Sequence, residues 1–353
     1  MSLNAPHLKS FLGQFFVHKI LTKRLLYFID EQGIAGLFSS LKRFTIKEAV
    51  ETLQHEFGYK LEDRIRLRMV TVLIDLLYEC SYVEKKEGFY VWNEGNKLET
   101  GLSKDEIEIA CNMFKGQVNF FEECVAYADA FLRGNPPLYS FDSNAVNVWE
   151  EFLGNAEFSF ARSVLINLLL SERSKNMHVL DLCYGPGFDI LQMQEQFPAV
   201  KVTAVDFKDI FLRQALHRIL NPKPVNWIKS ELWKGFGTPL PFSDSTFDIV
   251  FFACADPYIP NELREYVYRD IFRVLKRGGA LGILSRSYPD PSRKYVKDTW
   301  VRRGILCHDF AESVCEGWHG FYDAKESINL FKTVGYTLHT IMLNASLWRL
   351  DKP

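Results

Sequence analysis

The residues that could do chemistry gather around one stretch of the chain, VLDLCYGPGFDI at 179–190. An apolar run ends in Asp181, and Gly185 and Gly187 then flank a proline. Glycines at such a point let the backbone approach a ligand and turn sharply into a helix. The next apolar run ends in Asp206, and 206 minus 187 gives 19 residues from the last glycine. That is the usual interval to an acid that accepts ribose hydroxyls. A dinucleotide fingerprint would carry a third glycine where this chain has Ile190, and that glycine serves close helix–strand packing under a pyrophosphate. An acid ahead of the glycines suits instead a ligand with an ammonium group, which Asp181 would face.

Groups able to take a proton lie further along. His308 and His319 have an ordinary pKa near 6.5, which suits a base at neutral pH. Asp256, in CADPYIPNE at 254–262, is a weak base unless desolvated, since an ordinary aspartate titrates near 3.9. Cys307, His308, Cys315 and His319 have the letters of a zinc cluster without its C-x2-C pairing, and no metal is expected. Phe141, Trp149, Phe158, Phe160, Tyr258 and Trp318 would suit an apolar planar substrate, or an ordinary core.

These residues need elements to hold them. From about 10 to 100 the apolar spacing is helical, with Thr45 and Glu48 forming a capping box. YVEKKEGFYVWN then alternates around a Lys-Glu-Gly turn, which predicts a hairpin. Helix, helix, hairpin is a winged-helix pattern. RIRLR at 64–68 is basic and helical, and its stems are expected to cover a core. A further helix is expected over 102–132, ended by RGNPPLYS. From 178 short apolar runs alternate with helix-length segments: HVLDLC, KVTAVDF, VNWIKS, FDIVFFAC and ALGILSR, then TLHTIML and SLWRL. Such alternation predicts βαβ units and a doubly wound, mostly parallel sheet. Only Asn344 and Ala345 separate the last two runs, so these form an antiparallel hairpin. The expected division is a helical winged-helix domain over 1–100, a helical linker and substrate cap over 101–175, and the α/β domain over 176–353.

With these pieces in order the chain resembles the class I S-adenosylmethionine-dependent methyltransferases. Their first motif is an acid followed by three alternate glycines; here it reads Asp181-Leu-Cys183-Tyr-Gly185-Pro-Gly187, with Cys183 at the first glycine. PLPFSDSTFDIVFFA and IFRVLKRGGALGILSR resemble the family's approaches to its fourth and fifth strands. The resemblance implies a Rossmann-like sheet and S-adenosylmethionine as cofactor. It would be held by Asp181, Cys183, Gly185 and Gly187, with Asp206 on the ribose, Glu231 and Leu232 at the adenine edge and Phe207 on its face. The N-terminal half resembles that of small-molecule O-methyltransferases, which implies a homodimer. Their His-Asp-Trp triplet after the fourth strand is absent, so the catalytic candidates are His308, His319 and Asp256. An oxygen acceptor on a small aromatic or amphipathic molecule is expected. The alternatives are N-methylation through Asp256 and Tyr258, whose DPY is a shortened echo of an Asp-Pro-Pro-Tyr loop, and a non-catalytic winged-helix regulator that senses the cofactor.

Composition bounds the partners. Lys plus Arg number 42 against 44 for Asp plus Glu, a formal charge of -2, which gives no global attraction to nucleic acid or an acidic membrane. Seven scattered cysteines do not make a disulfide scaffold. No apolar run approaches the roughly 20 residues that span a bilayer, and no signal peptide is evident. The expectation is a cytoplasmic protein with a small-molecule partner, no nucleic acid and no membrane.

Overall fold

The computed structural model describes residues 5–353 apart from 96, 143, 174–175, 220–224 and 291–298; for 5–16, 106, 109–111, 113 and 299–300 it describes the helical backbone alone. The chain opens with α1 (Ala5–Glu31) and α2 (Ile34–Leu41), a two-residue strand β1 (Arg43–Phe44), then α3 (Ile46–Phe57) and α4 (Arg64–Glu79). Thr45 and Glu48 close the expected capping box at α3, and the Asp63 carboxylate accepts the first N–H groups of α4. Next comes the hairpin of β2 (Val83–Lys86) and β3 (Phe89–Trp92). Glu87 and Gly88 both have positive φ, the twist that matches a two-residue hairpin. β3 lies between β1 and β2 in a small antiparallel sheet. β1 escaped the sequence reading because two residues leave no periodicity. α5 (Lys104–Leu132) follows, interrupted at Phe114, whose φ is -135°. NPPL at 135–138 is a turn with no strand leading into it.

The α/β part runs α6 (Val146–Leu153), α7 (Ala156–Leu170), β4 (His178–Leu182), α8 (Phe188–Gln196), β5 (Lys201–Val205), α9 (Leu212–Arg218), β6 (Val225–Ile228), β7 (Phe247–Ala253), α10 (Arg264–Val274) and β8 (Leu275–Leu284). After it the chain runs through α11 (Thr299–Glu312), and α12 (Ala324–Val334), β9 (Thr337–Met342) and β10 (Leu347–Asp351) complete the sheet part. The seven strands order as β6-β5-β4-β7-β8-β10-β9, and β10 alone runs antiparallel to its neighbours. This is the expected mostly parallel sheet with its antiparallel hairpin. Alternation along β8 assigns the faces. Leu281 and Ile283 join the core with α10 and α12 residues. Gly282 faces the other way, where an added Cβ would lie 2.4 Å from Leu169 of α7.

The chain divides into two compact units, 1–140 with 296–320, and 141–295 with 321–353. The expected boundaries lie near 100 and 175; α11 is what brings residues 296–320 into the helical unit. Its Ile305, Leu306, Cys307, His308 and Phe310 are buried in the helical unit. Phe310 packs on Phe28 of α1 with ring centroids 5.5 Å apart. Gly304 makes room for the His18 ring, which an added Cβ would meet at 2.4 Å. The RIRLR arginines act through their heads as well as their stems. Arg68 pairs with Asp309 through Nε and Nη2, Arg66 donates to the Phe131 carbonyl, and Arg64 donates to the His319 carbonyl. The six cysteines whose side chains are described are free thiols; Cys111 lies outside that set. Among the described residues no helix is long and apolar enough to cross a membrane.

Candidate active site

In an open α/β sheet a ligand crevice forms at the carboxyl ends of the strands, where the strand order reverses. Here that point lies at β4, between β5 and β7. The backbone leaves β4 through Cys183, whose φ of 64° is left-handed and whose N–H donates to the Val205 carbonyl at 2.8 Å. Gly185 (φ 49°) and Gly187 (φ 81°) continue the turn. Gly187 starts α8, and any Cβ there would lie 2.9 Å from the Ala215 Cβ. Beside Gly185 the space is open, its nearest neighbour being Leu153 at 3.9 Å.

Three buried carboxylates surround this turn, and they are not equivalent. Asp206, at the end of β5, accepts from the N–H groups of Gly185 (3.1 Å) and Phe207 (2.8 Å). Burial nevertheless pushes it up to about 7. Asp189, in the first turn of α8, pairs with Arg162 of α7. Asp181 is fully buried, and neither of its carboxylate oxygens has a hydrogen-bond partner. Burial, with Asp189 and Asp206 nearby, pushes it well above the ordinary carboxylate range. Arg162 is a guanidinium that partly offsets burial at Asp181 and Asp189. A cation beside Asp181 would meet what this arrangement lacks. The sequence reading missed Asp189 and Arg162. The acid two residues after Gly187 was a signal for a helix first turn, but no local pattern links it to an arginine 27 residues earlier.

An aromatic wall stands beside the Asp206 turn. Phe207 meets Phe141 edge to face at 5.2 Å, and Phe141 stacks on Trp149 at 5.7 Å. Tyr258, from the loop after β7, meets Phe141 at 5.3 Å and Trp149 at 6.4 Å. Lys208 donates to the Phe141 carbonyl at 3.0 Å. Glu231 and Leu232 follow β6 and are exposed.

The catalytic candidates are dispersed. Asp256 turns inward: both its oxygens accept from Arg264 (3.0 and 3.1 Å), and Tyr268 donates to it at 2.5 Å. Arg264 also lies 3.5 Å over the Tyr322 ring. The carboxylate is thus committed to bracing its own loop against α10. His308 and His319 belong to the helical unit. His308 is fully buried, its Nε2 is 2.7 Å from the Gln117 amide, and its Nδ1 is 3.7 Å from Glu312.

Residues 179–279, which hold the turn, Asp181 and Asp206, match the family model described as a methyltransferase domain. Residues 179–279 thus form a methyltransferase domain. A demethylmenaquinone methyltransferase from Listeria welshimeri is 32% identical over 130 residues, 36% of this chain and 53% of that protein. The chain spans about half the length of the curated relatives it matches. The fold is similar to that of the CurJ carbon methyltransferase (TM-score 0.68, 10% identity, 97% of this chain and 92% of that one). It is also similar to that of an O-methyltransferase family 2 protein from Planctomyces limnophilus in complex with apigenin (TM-score 0.59, 13% identity, 98% and 96%). At those identities the likeness establishes the fold of this chain. S-adenosylmethionine is the methyl donor that the methyltransferase-domain match implies, and the residues present fit it. The partnerless oxygens of Asp181 match an ammonium, Asp206 is an acceptor at the end of β5, and Gly185 leaves space for close approach.

Proposed function

We propose that this chain transfers a methyl group from S-adenosylmethionine to a small aromatic or amphipathic molecule, with oxygen as the acceptor atom. The observation that carries the reading is the aromatic wall of Phe141, Trp149 and Tyr258 beside the acid-and-glycine turn. Asp206 takes the ribose hydroxyls, Asp181 the ammonium, and Cys183, Gly185 and Gly187 border the methionine part. Phe207 lies on the adenine face, with Glu231 and Leu232 at its edge. When bound, the cofactor supplies an electrophilic methyl group. The protein's own task is to exclude water, align the nucleophile and accept its proton. Asp256 is spent on Arg264 and Tyr268, which argues against N-methylation through it. For an oxygen acceptor the proposed bases are His308 and His319, whose ordinary pKa suits neutral pH.

A second acceptor has support in the relatives' name, demethylmenaquinone methyltransferase. Removing a phenolic proton also activates the neighbouring ring carbon, so a quinol would be methylated there instead. Calorimetry with S-adenosylhomocysteine tests the cofactor: saturable micromolar binding that NAD does not compete with is expected, and absence of binding sinks the reading. Incubation with labelled donor and a panel of catechols and quinols, with the product's methyl position read by NMR, decides between oxygen and carbon.

The element order β1, α3, α4, β2, β3 supports a winged-helix reading of this unit, which we propose is a dimerisation module. Its hairpin argues against a nucleic-acid-reading regulator, because Lys86 is paired with Glu84 and Lys85 lies over the Tyr90 ring. A helical unit attached to a complete sheet domain finds its commonest partner in a twofold copy. Light scattering should give twice the chain mass; a monomer at tens of micromolar would refute the dimer.

A further inference from the structure

Two cysteines that stand far apart in the chain meet inside the helical unit. Cys124 lies on α5, and Cys315 stands three residues beyond the end of α11. Both are buried, and the two thiols are hydrogen-bonded to one another. Tyr139 brings their stretches of chain together. Its backbone forms a parallel β-bridge with Cys315, in which the Leu138 N–H donates to the Val314 carbonyl and the Glu316 N–H to the Tyr139 carbonyl, each at 2.8 Å. Its side chain turns back to α5. The ring stacks on Phe120 with centroids 5.7 Å apart, and the hydroxyl donates to Glu123, the residue before Cys124. The meeting of the two thiols therefore follows from a fixed backbone arrangement.

The other described cysteines are placed differently. Cys307 is buried with its thiol donating to the Thr22 hydroxyl at 3.8 Å, Cys80 is half-buried after α4, and Cys183 and Cys254 belong to the other unit. Burial pushes the Cys124 and Cys315 thiols above the ordinary thiol range, so neither is a reactive thiolate in the closed fold. Their chemistry waits on a local opening of the unit. A sulfur oxidised during such an opening meets its partner again when the fold recloses.

We propose that Cys124 and Cys315 are a reversible oxidation site, converted to a disulfide by a two-electron oxidant of the peroxide class. One thiolate takes an oxygen from hydrogen peroxide to give a sulfenic acid, and the hydroxide released collects the proton that the thiol gave up. The second thiolate attacks the sulfenic sulfur, whose hydroxyl leaves as water with the second proton. Two thiols and one peroxide become a disulfide and two waters, and a dithiol reductant reverses the bond. The disulfide would tie the early length of the unit, 1–140, to the late one, 296–320. To test this, the purified full chain is treated with hydrogen peroxide, alkylated in denaturant, digested and mapped by mass spectrometry without reduction. A cross-linked peptide pair that holds Cys124 and Cys315, and is lost after dithiothreitol, supports the site. Its formation should speed up in urea below the unfolding transition, where opening is more frequent. The cross-linked chain should also unfold at a higher urea concentration than the reduced chain, because the link restricts the unfolded state. Cys315→Ala should abolish that shift, and if this variant fails to fold, the peptide map of the native chain decides alone. The proposal is overturned if Cys124 and Cys315 are recovered as alkylated thiols while other cysteines have oxidised, or if either is joined to a different cysteine. It is also overturned if the cross-linked chain unfolds at the same or a lower urea concentration than the reduced one.

Discussion

At the scale of single residues, the proposed role of Asp206 would couple cofactor binding to pH. Burial raises it from the ordinary aspartate value of 3.8 to about 7, so the folded chain holds a proton that the unfolded chain has released. Folded stability from this group is therefore greatest below about pH 4 and is lost as pH rises through about 7. Binding runs the opposite way if ribose hydroxyls require the ionised carboxylate. S-adenosylhomocysteine should bind roughly tenfold more weakly at pH 6 than at pH 8, with proton release near pH 7 seen as a buffer-dependent heat. Asp206→Asn should flatten that dependence, and Asp206→Ala should cost roughly 1.5–3 kcal/mol of affinity. Cys183 carries a different burden. A side chain in the left-handed region costs about 1–2 kcal/mol, partly offset by the extra freedom glycine would have when unfolded. Cys183→Gly should therefore raise stability by about 0.5–1 kcal/mol in urea denaturation.

At the scale of elements, the turn works only because α8 can start hard against α9. Gly187→Ala would force a Cβ to 2.9 Å from Ala215 at a φ of 81°. It should cost about 1–3 kcal/mol of stability and weaken S-adenosylhomocysteine binding as α8 shifts. The loop after β7 depends on its buried ion pair in a similar way. Asp256→Ala leaves Arg264 charged and uncompensated, and should cost about 3–5 kcal/mol in urea denaturation. A base role for Asp256 predicts instead near-native stability with lost turnover. These two sites show what was legible in the sequence. The strands could be read because buried parallel strands are short apolar runs, and Asp181, Gly185, Gly187 and Asp206 could be read because motif and strand end coincide. Asp256 sits at an equally suggestive place, but its partner Arg264 lies on the next helix, and a polar residue at a strand end does not say which way it points. α11 was hidden for a related reason: an apolar helix face announces that it will be covered, and not by which core.

At the scale of the whole molecule, the helical unit is assembled from two lengths of chain, 1–140 and 296–320, with residues 141–295 between them. α1, α4 and α5 are synthesised long before the helix that covers them. A ribosome adding roughly 5–20 residues per second takes about 8–30 s to cross the intervening 155 residues. For that time the apolar bed of Phe310 and Leu306 is open, and Arg68 lacks its Asp309 carboxylate. A released 1–140 fragment should therefore aggregate, whereas one joined to 296–320 by a flexible linker should stay soluble and show helical circular dichroism. If the bare fragment is as soluble and cooperative as the joined one, α11 is dispensable to the unit. Otherwise biosynthesis leaves this protein with a timed vulnerability: during every round of translation the helical unit waits, unfinished and sticky, until residues 141–295 have been made and its last piece follows.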